Sequence, residues 1–529
     1  MSPKKFSIIL IITILVIFLI RLFYSITNAP TLNCSAILSV EAAKSIVETG
    51  IPAKDGVLYA RDYLVHYLLA GSIFIIGDNF LGYVTPNLIF SILVLILLYF
   101  VARTFTTSKI VIFLTIFTVA ISTIENTYAI NPRCYMQFQF FFLLTIFYFY
   151  KGFVDKNNKQ GKKYQILTFF SYLASVLSHT SGLILLPVFG FYVITKNKKW
   201  YQDKLILIIG TLVILFSTFY FFIVFPGAIT NPNFIHFDLP YNFKFQIPFL
   251  EKDPTNLTSR QWEGPSGISV SNLISYFPYI FAYLPFISLF IFAGIIKLIF
   301  NHNKDHKLAY LYYVFLSSLF FISLFTLYAE ANYIFCLFPI FALISFLGME
   351  CFIQFINNKK FLKSKHLGWI LIIILIAVLT KEHPAYDFKD YSNVPAYGFH
   401  SFFSNHQPAI SYLLENKREK DIIIADNPAV YGFYLDHCDY YLRQRKLTDE
   451  TGEKITWVTV RPQDQLPFFR IPPIDSINKL KKVLDNNQRV WLVLSRNNIG
   501  SELKYYIRDN MKLEFKVGNY IYIYSNEKR

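Results

Sequence analysis

The chain has 529 residues, 54% of them hydrophobic and 19% aromatic, but only 16% charged. A soluble globular protein carries roughly 25% charged residues, so water is not the solvent of most of this chain. The formal charge of +16 comes largely from lysines in short loops between apolar runs, a membrane-protein pattern that argues against nucleic acid as a partner.

The five cysteines (Cys34, Cys134, Cys336, Cys351 and Cys438) show no C-x-x-C spacing and no histidines at zinc-ligand distances. The first apolar run, Phe6 to Ile20, follows Lys4 and Lys5 and has no small-residue cleavage site after it. Arg21 comes next, so the run reads as an uncleaved first span. Crossing about 30 Å of hydrocarbon takes roughly 20 apolar residues. That template predicts about eleven transmembrane helices, near 6–26, 80–101, 110–125, 135–151, 164–180, 181–195, 205–225, 275–300, 308–328, 332–356 and 367–381.

Loop charge predicts the orientation. The basic clusters are Lys4/Lys5, Arg103/Lys109, Lys156/Lys159/Lys162/Lys163, Lys196/Lys198/Lys199/Lys204, Lys304/Lys307 and Lys359/Lys360/Lys363/Lys365. They all fall on the side of the N-terminus if 63–77 is not a full crossing. The expected arrangement is therefore a cytoplasmic N-terminus, outer loops at 27–79 and 226–274, a membrane domain over 1–381 and an extracytoplasmic domain over 382–529. Cys34 and Cys134 both fall on the outer face, which leaves a disulfide open, with two separate thiols favoured.

Within the first outer loop, 37–49 sets Ile37, Val40, Ala43, Ile46 and Val47 against Glu41, Lys44 and Glu48, the pattern of an amphipathic helix lying at the membrane surface. Residues 63–77 are apolar but interrupted by His66 and Gly71, which suits a half-inserted helix. The loop 226–274 is rich in Pro, Asn and aromatics, and a loop of that length is usually functional or disordered. After Lys381 the composition turns soluble. Ala409–Asn416, Ile477–Leu484 and Leu503–Asp509 read as helices, Asp421–Ala425 and Arg489–Ser495 as buried strands. Leu513–Val517 with Tyr520–Tyr524 reads as a hairpin, and the whole as a small α/β domain.

Charge is nearly absent from the span centres, unlike an ion-coupled carrier. The polar residues gather at the outer ends of spans: Glu125, Asn126, Asn131, Arg133, His179, Thr180, Glu330 and Asn332. For any one of them an ordinary interfacial role is the commoner explanation; the set as a whole describes a site at the outer surface.

The ordered pattern resembles that of the GT-C glycosyltransferases, integral membrane enzymes that use polyprenyl-phosphate-linked sugars, similar to the protein O-mannosyltransferases and aminoarabinose transferases. The matching residues in the first outer loop are Ala43, Ile46, Glu48 and Gly50, then Pro52, Tyr59 with Arg61, and Gly77 with Gly82. Further on, Arg133-x-Tyr135 opens a span, and His179 precedes Gly182 in a span-turn-span element. The resemblance covers essentially the whole chain. It departs in two places: the family's Asp-Glu pair falls at Ser35-Ala36, and its Arg-Tyr falls at Asn332-Tyr333.

The resemblance implies an inverting hexosyl- or pentosyltransferase with a polyprenyl-phosphate sugar as donor. The lipid bilayer is its medium and the acceptor is undetermined among glycan, lipid and protein. It leaves a divalent metal, Mg or Mn, open as a cofactor. Such a transfer needs a base for the acceptor proton and cations where the departing phosphate gathers charge. Glu41 and Glu125 are the candidate bases. Arg61, Arg133 and His179, with Tyr135, are the candidate donor-binding residues. A catalytically degenerate lipid-linked-sugar-binding protein or a flippase is the alternative expectation.

Overall fold

The computed structural model describes residues 3–27, 34–54, 62–155, 157–196, 199–220, 287–300, 305–325, 331–358, 406–442, 471–474, 476–494, 501–518 and 521–526, with isolated positions between them. Nearly all of the expected span at 367–381 and of the loop 226–274, and Asp55, Tyr59, Arg61 and Glu330, lie outside the described residues. So does the Cys34 side chain, one half of the disulfide left open above.

Helix α1 (Pro3–Thr27) is followed by α2 (Cys34–Thr49), a small hairpin of β1 (Ala53–Lys54) and β2 (Val57–Leu58), and α3 (Tyr63–Ile76). At 14 residues, α3 extends about 21 Å, too short to cross a bilayer. Helix α4 (Phe80–Phe105) starts where the Asn79 side chain accepts from the Gly82 N–H. Its Pro86 has no N–H for the Gly82 carbonyl, and Ser72 Oγ of α3 donates to that carbonyl instead, at 2.6 Å. The chain continues through α5 (Lys109–Ile121), α6 (Thr123–Ala129), α7 (Tyr135–Phe149, ending in a π-turn), α8 (Gly161–Ser178), α9 (Leu185–Lys196), α10 (Lys204–Phe219), α11 (Ile291–Phe300), α12 (His306–Phe325) and α13 (Phe338–Asn358).

Among the described residues, four helices are long and apolar enough to cross a membrane: α1, α4, α12 and Phe335–Phe355, a short 3-10 turn running into α13. The span expected over 110–125 is instead two helices, α5 and α6, bent by 56° at Ser122, and together they are apolar enough to make a fifth. This is a multi-pass membrane protein.

The C-terminal part is an α/β domain: α14 (Gln407–Asn416), β3 (Ile422–Ala425), α15 (Pro428–Leu435), β4 (Tyr440–Leu442), β5 (Pro473–Ile474), α16 (Ile477–Asn486), β6 (Val490–Leu494), α17 (Ser501–Asn510), β7 (Lys512–Val517) and β8 (Ile521–Ser525). The sheet order is β5-β4-β3-β6-β8-β7; the first four strands are parallel, and β8 and β7 join antiparallel. Side chains alternate between the two faces. Ile423, Trp491, Val493, Ile521 and Ile523 pack with α14 and α15, whereas Ile424, Val490, Leu492 and Leu494 pack with α16 and α17.

The first of these cores does not stop at the domain. It continues into Ile37, Val40 and Ala43 of α2 and into Leu69, Ala70 and Ile73 of α3. The amphipathic helix expected to lie on the membrane therefore buries its apolar face against protein. An apolar stripe needs an apolar surface, and α3 and the α/β domain supply one. The Leu32 N–H donates to Tyr434 Oη at 2.9 Å across this junction.

Candidate functional site

The polar residues of the bundle meet where α4, α6 and α7 pack together. Asn87 of α4 is buried and its Nδ2 donates to the carbonyls of Tyr128 (3.1 Å), Arg133 (2.9 Å) and Asn131. Gln137 Nε2 donates in turn to Asn87 Oδ1 at 2.7 Å. These bonds satisfy a tight turn of backbone between α6 and α7 that is cut off from water, where an unmade hydrogen bond is costly. They also fix the point from which Arg133 departs.

Arg133 is buried, with its guanidinium 5.0 Å from the centre of the Tyr135 ring. Tyr135 in turn lies 4.6 Å from Tyr128 and 6.0 Å from His179, centroid to centroid, and the Phe138 ring is 5.1 Å from His179. His179 sits at the end of α8, and its Nδ1 accepts from the Ser181 N–H at 3.1 Å. The turn that follows passes directly over α8. A Cβ on Gly182 would come within 2.8 Å of the Ser175–Val176 backbone, so glycine is required there.

Glu125, in the first turn of α6, is only 1% exposed. Its Oε1 accepts from Gln139 Nε2 at 2.7 Å, and the same Nε2 donates to the Phe335 carbonyl at 3.1 Å. Tyr128, one turn further along α6, has its ring 4.4 Å from Phe335. The fold thus gathers Arg133, Tyr135 and His179 around the α6–α7 turn, with Glu125 connected to them through Tyr128 on its own helix, although they come from separate stretches of sequence.

Glu41 belongs to another neighbourhood. It lies half-buried on α2, near Tyr83. There Lys44 Nζ sits 2.8 Å from Asp78 Oδ2 and 4.9 Å from the Phe433 ring centre. That is the junction with the α/β domain. Among the described residues no group of three or more His, Cys, Asp or Glu side chains could hold a metal ion.

Arg21, whose Nε donates to Asn126 Oδ1 on α6 at 2.7 Å, and Asn87, Gln137 and Gln139 are polar groups around the site that the sequence reading did not single out. The signal was present: all four are polar groups inside strongly apolar stretches, which in a membrane segment marks a functional or packing role.

The helical bundle, its paired α2 and α3, and the C-terminal α/β domain together make up the GT-C fold of integral membrane proteins. Two solved structures carry the comparison. ArnT from Cupriavidus metallidurans bound to undecaprenyl phosphate matches with a TM-score of 0.58 and 12% identity, over 99% of this chain and 98% of that one. The same protein in the apo state matches with a TM-score of 0.55 and 12% identity, again over 99% and 98%. Neither a family model nor a curated protein sequence matches this chain.

Proposed function

We propose that this protein is an inverting glycosyltransferase that takes a sugar from a polyprenyl-phosphate-linked donor and works on the outer face of the cell membrane. The observation that carries the reading is the convergence of Arg133, Tyr135 and His179 at the α6–α7 turn of a GT-C bundle. In the first of the matched structures the bound molecule is undecaprenyl phosphate. A phosphate monoanion or dianion needs donors and positive charge, and Arg offers both in a planar fork.

In this reading the acceptor hydroxyl gives its proton to a carboxylate, and its oxygen attacks the anomeric carbon opposite the phosphate. The bond from that carbon to the phosphate oxygen breaks, and the polyprenyl phosphate leaves with the electron pair. Arg133 and His179 stabilise the charge that gathers on it. Glu125 is the better base of the two candidates, because it lies on α6 one helical turn from Tyr128, whose ring meets Tyr135, while Glu41 lies on α2 near the domain junction. A divalent metal could assist the leaving phosphate, and turnover with and without a chelator tests that addition.

Two observations favour a second reading. Glu125 is almost wholly buried, and Ser35-Ala36 stands where the resembled family carries Asp-Glu. A protein that binds a lipid-linked sugar without transferring it would need the Arg133 wall and no base. Cell-envelope glycans compared between a deletion strain and strains carrying wild type, Glu41→Gln or Glu125→Gln separate the two. Transfer predicts that wild type restores a glycan that Glu125→Gln does not, while purified Glu125→Gln still binds undecaprenyl phosphate. Restoration by both variants favours binding without transfer, and no difference on deletion removes the transferase.

A further inference from the structure

Asp62 immediately precedes α3, and its carbonyl accepts from the Val65 and His66 N–H groups at 3.0 and 3.2 Å. An aspartate in that place normally turns its carboxylate onto the free N–H groups of its own helix. Asp62 does not: its backbone is left-handed, with φ 56°, and its side chain makes no capping bond. Yet the residue is only 4% exposed. Among the described residues no hydrogen bond or ion pair reaches the carboxylate. A left-handed aspartate and an enclosed acceptor without a donor both cost stability, and such costs persist where function holds them.

The packing of α3 sets Asp62 beside the site. Asn87, about two turns into α4, bonds the α6–α7 turn, so α4 begins at the site's end of the bundle. Helix α3 rests on that beginning through the bond from Ser72 to the Gly82 carbonyl. It packs as well against α8, whose site-side end carries His179. Leu69, Ala70 and Ile73, in the later part of α3, face α2 and the α/β domain, whereas Val65 joins the bundle core. The first turn of α3 is thus the part that meets the end of α8. His66, one turn after Asp62 on the same helical face, is fully buried.

We propose that Asp62 is a specificity-determining residue that holds the sugar of the lipid-linked donor, its two carboxylate oxygens accepting from neighbouring sugar hydroxyls. A carboxylate offers two parallel acceptors, which match a pair of adjacent hydroxyl donors. Arg133 and His179 take the phosphate in the reading above, and the sugar is one ester bond from that phosphate. The subsite rests on the donor-binding half of that reading and not on transfer.

The test is ligand binding by the full-length protein in lipid nanodiscs. The probes are undecaprenyl phosphate and undecaprenyl phosphates carrying glucose, galactose, mannose or arabinose. Wild type is expected to bind one of the sugar-bearing lipids at least about tenfold more tightly than undecaprenyl phosphate, the scale of a hydrogen bond to a charged group. Asp62→Gly suits the left-handed backbone and removes only the side chain. It is expected to lose the preference, keep the affinity for undecaprenyl phosphate, and unfold at or above the wild-type midpoint. Asp62→Asn tolerates the same backbone and is expected to keep part of the preference. No sugar preference in wild type, or one that survives in Asp62→Gly, overturns the proposal. A lower midpoint in Asp62→Gly with weaker binding of every probe makes Asp62 a structural residue and overturns it too. Nothing here reads turnover, so a protein that binds without transferring leaves the subsite standing. Conversely, weaker binding of undecaprenyl phosphate by Arg133→Ala keeps the phosphate wall even where the sugar preference fails.

Discussion

Gln139 Nε2 lies 2.7 Å from Glu125 Oε1 and donates to it, joining α7 to α6 inside the bundle. Gln139→Leu keeps the volume and removes the donor, leaving a buried carboxylate oxygen without this bond. The expected cost is about 1–3 kcal/mol of stability, read as a lower unfolding midpoint in detergent. Gln139→Glu should be worse, because it sets two carboxyl groups against each other. A midpoint equal to wild type in both variants would show that this bond does not hold α6 in place.

Arg133 is the strongest single candidate for the donor phosphate. Arg133→Ala is expected to weaken undecaprenyl phosphate binding by about 1.5–3 kcal/mol, the scale of a hydrogen bond to a charged group. Arg133→Lys should recover only part of it, since an ammonium lacks the planar fork. Calorimetric titration of the purified proteins measures both, and unchanged affinity in Arg133→Ala would take this residue out of the site.

Orientation can be checked by labelling, in a background with the five native cysteines replaced. Lys159 lies exposed in the turn before α8, and Lys482 lies exposed on α16 of the α/β domain. A cysteine at 159 is expected to resist an impermeant thiol reagent in intact cells, and one at 482 to react. The reverse pattern would invert the topology.

The Leu32 N–H, just before α2, bonds Tyr434 of the α/β domain. Tyr434→Phe removes the acceptor of the Leu32 N–H and should cost about 0.5–1.5 kcal/mol. Lys44→Met should cost no more than about 1 kcal/mol, because its pair with Asp78 is partly exposed. Hydrogen exchange along α2 reports both, with faster exchange expected in the first. Equal exchange in Tyr434→Phe and wild type would mean that the apolar core alone fixes the junction.

Glu514 gives the α/β domain a defined acid response. Burial alone would raise its carboxyl, but hydrogen bonds from Ser525 and Lys512 and the charges of Lys512 and Arg489 outweigh this and hold it below its ordinary value of 4.5. A carboxyl lower in the folded state stabilises the fold above the unfolded value and loses that contribution as pH falls through the folded one. Thermal unfolding between neutral pH and pH below 4.5 should therefore fall less steeply in Glu514→Gln than in wild type. Parallel curves would contradict this.

Much of the architecture is a local property of the chain. The length of an apolar run and the charge of a short loop mark a membrane protein whatever its neighbours do. For the same reason α3 is legible as too short and too interrupted for a crossing. In the α/β domain the runs DIIIAD and RVWLVL become β3 and β6, because strands buried on both faces must be apolar throughout. The resemblance of Arg133-x-Tyr135 and His179 to a known pattern likewise needs only residue types and order. By contrast, β4, β5 and α15 escaped the sequence reading, since strands of two or three residues carry too little periodicity to detect.

Only the tertiary structure decided which polar groups meet. It broke the expected span at Ser122 and paired Arg21 with Asn126 across 105 positions of sequence. It set Glu125 against Gln139 and the Phe335 segment inside the bundle and Glu41 near the domain junction, and it turned α2 from the membrane surface onto α3 and the α/β domain. An amphipathic stripe records that a face must be covered, and a polar residue in an apolar run records that it must find a partner. Neither records which partner, because burial and hydrogen bonding are satisfied by whatever surface the rest of the chain brings within reach.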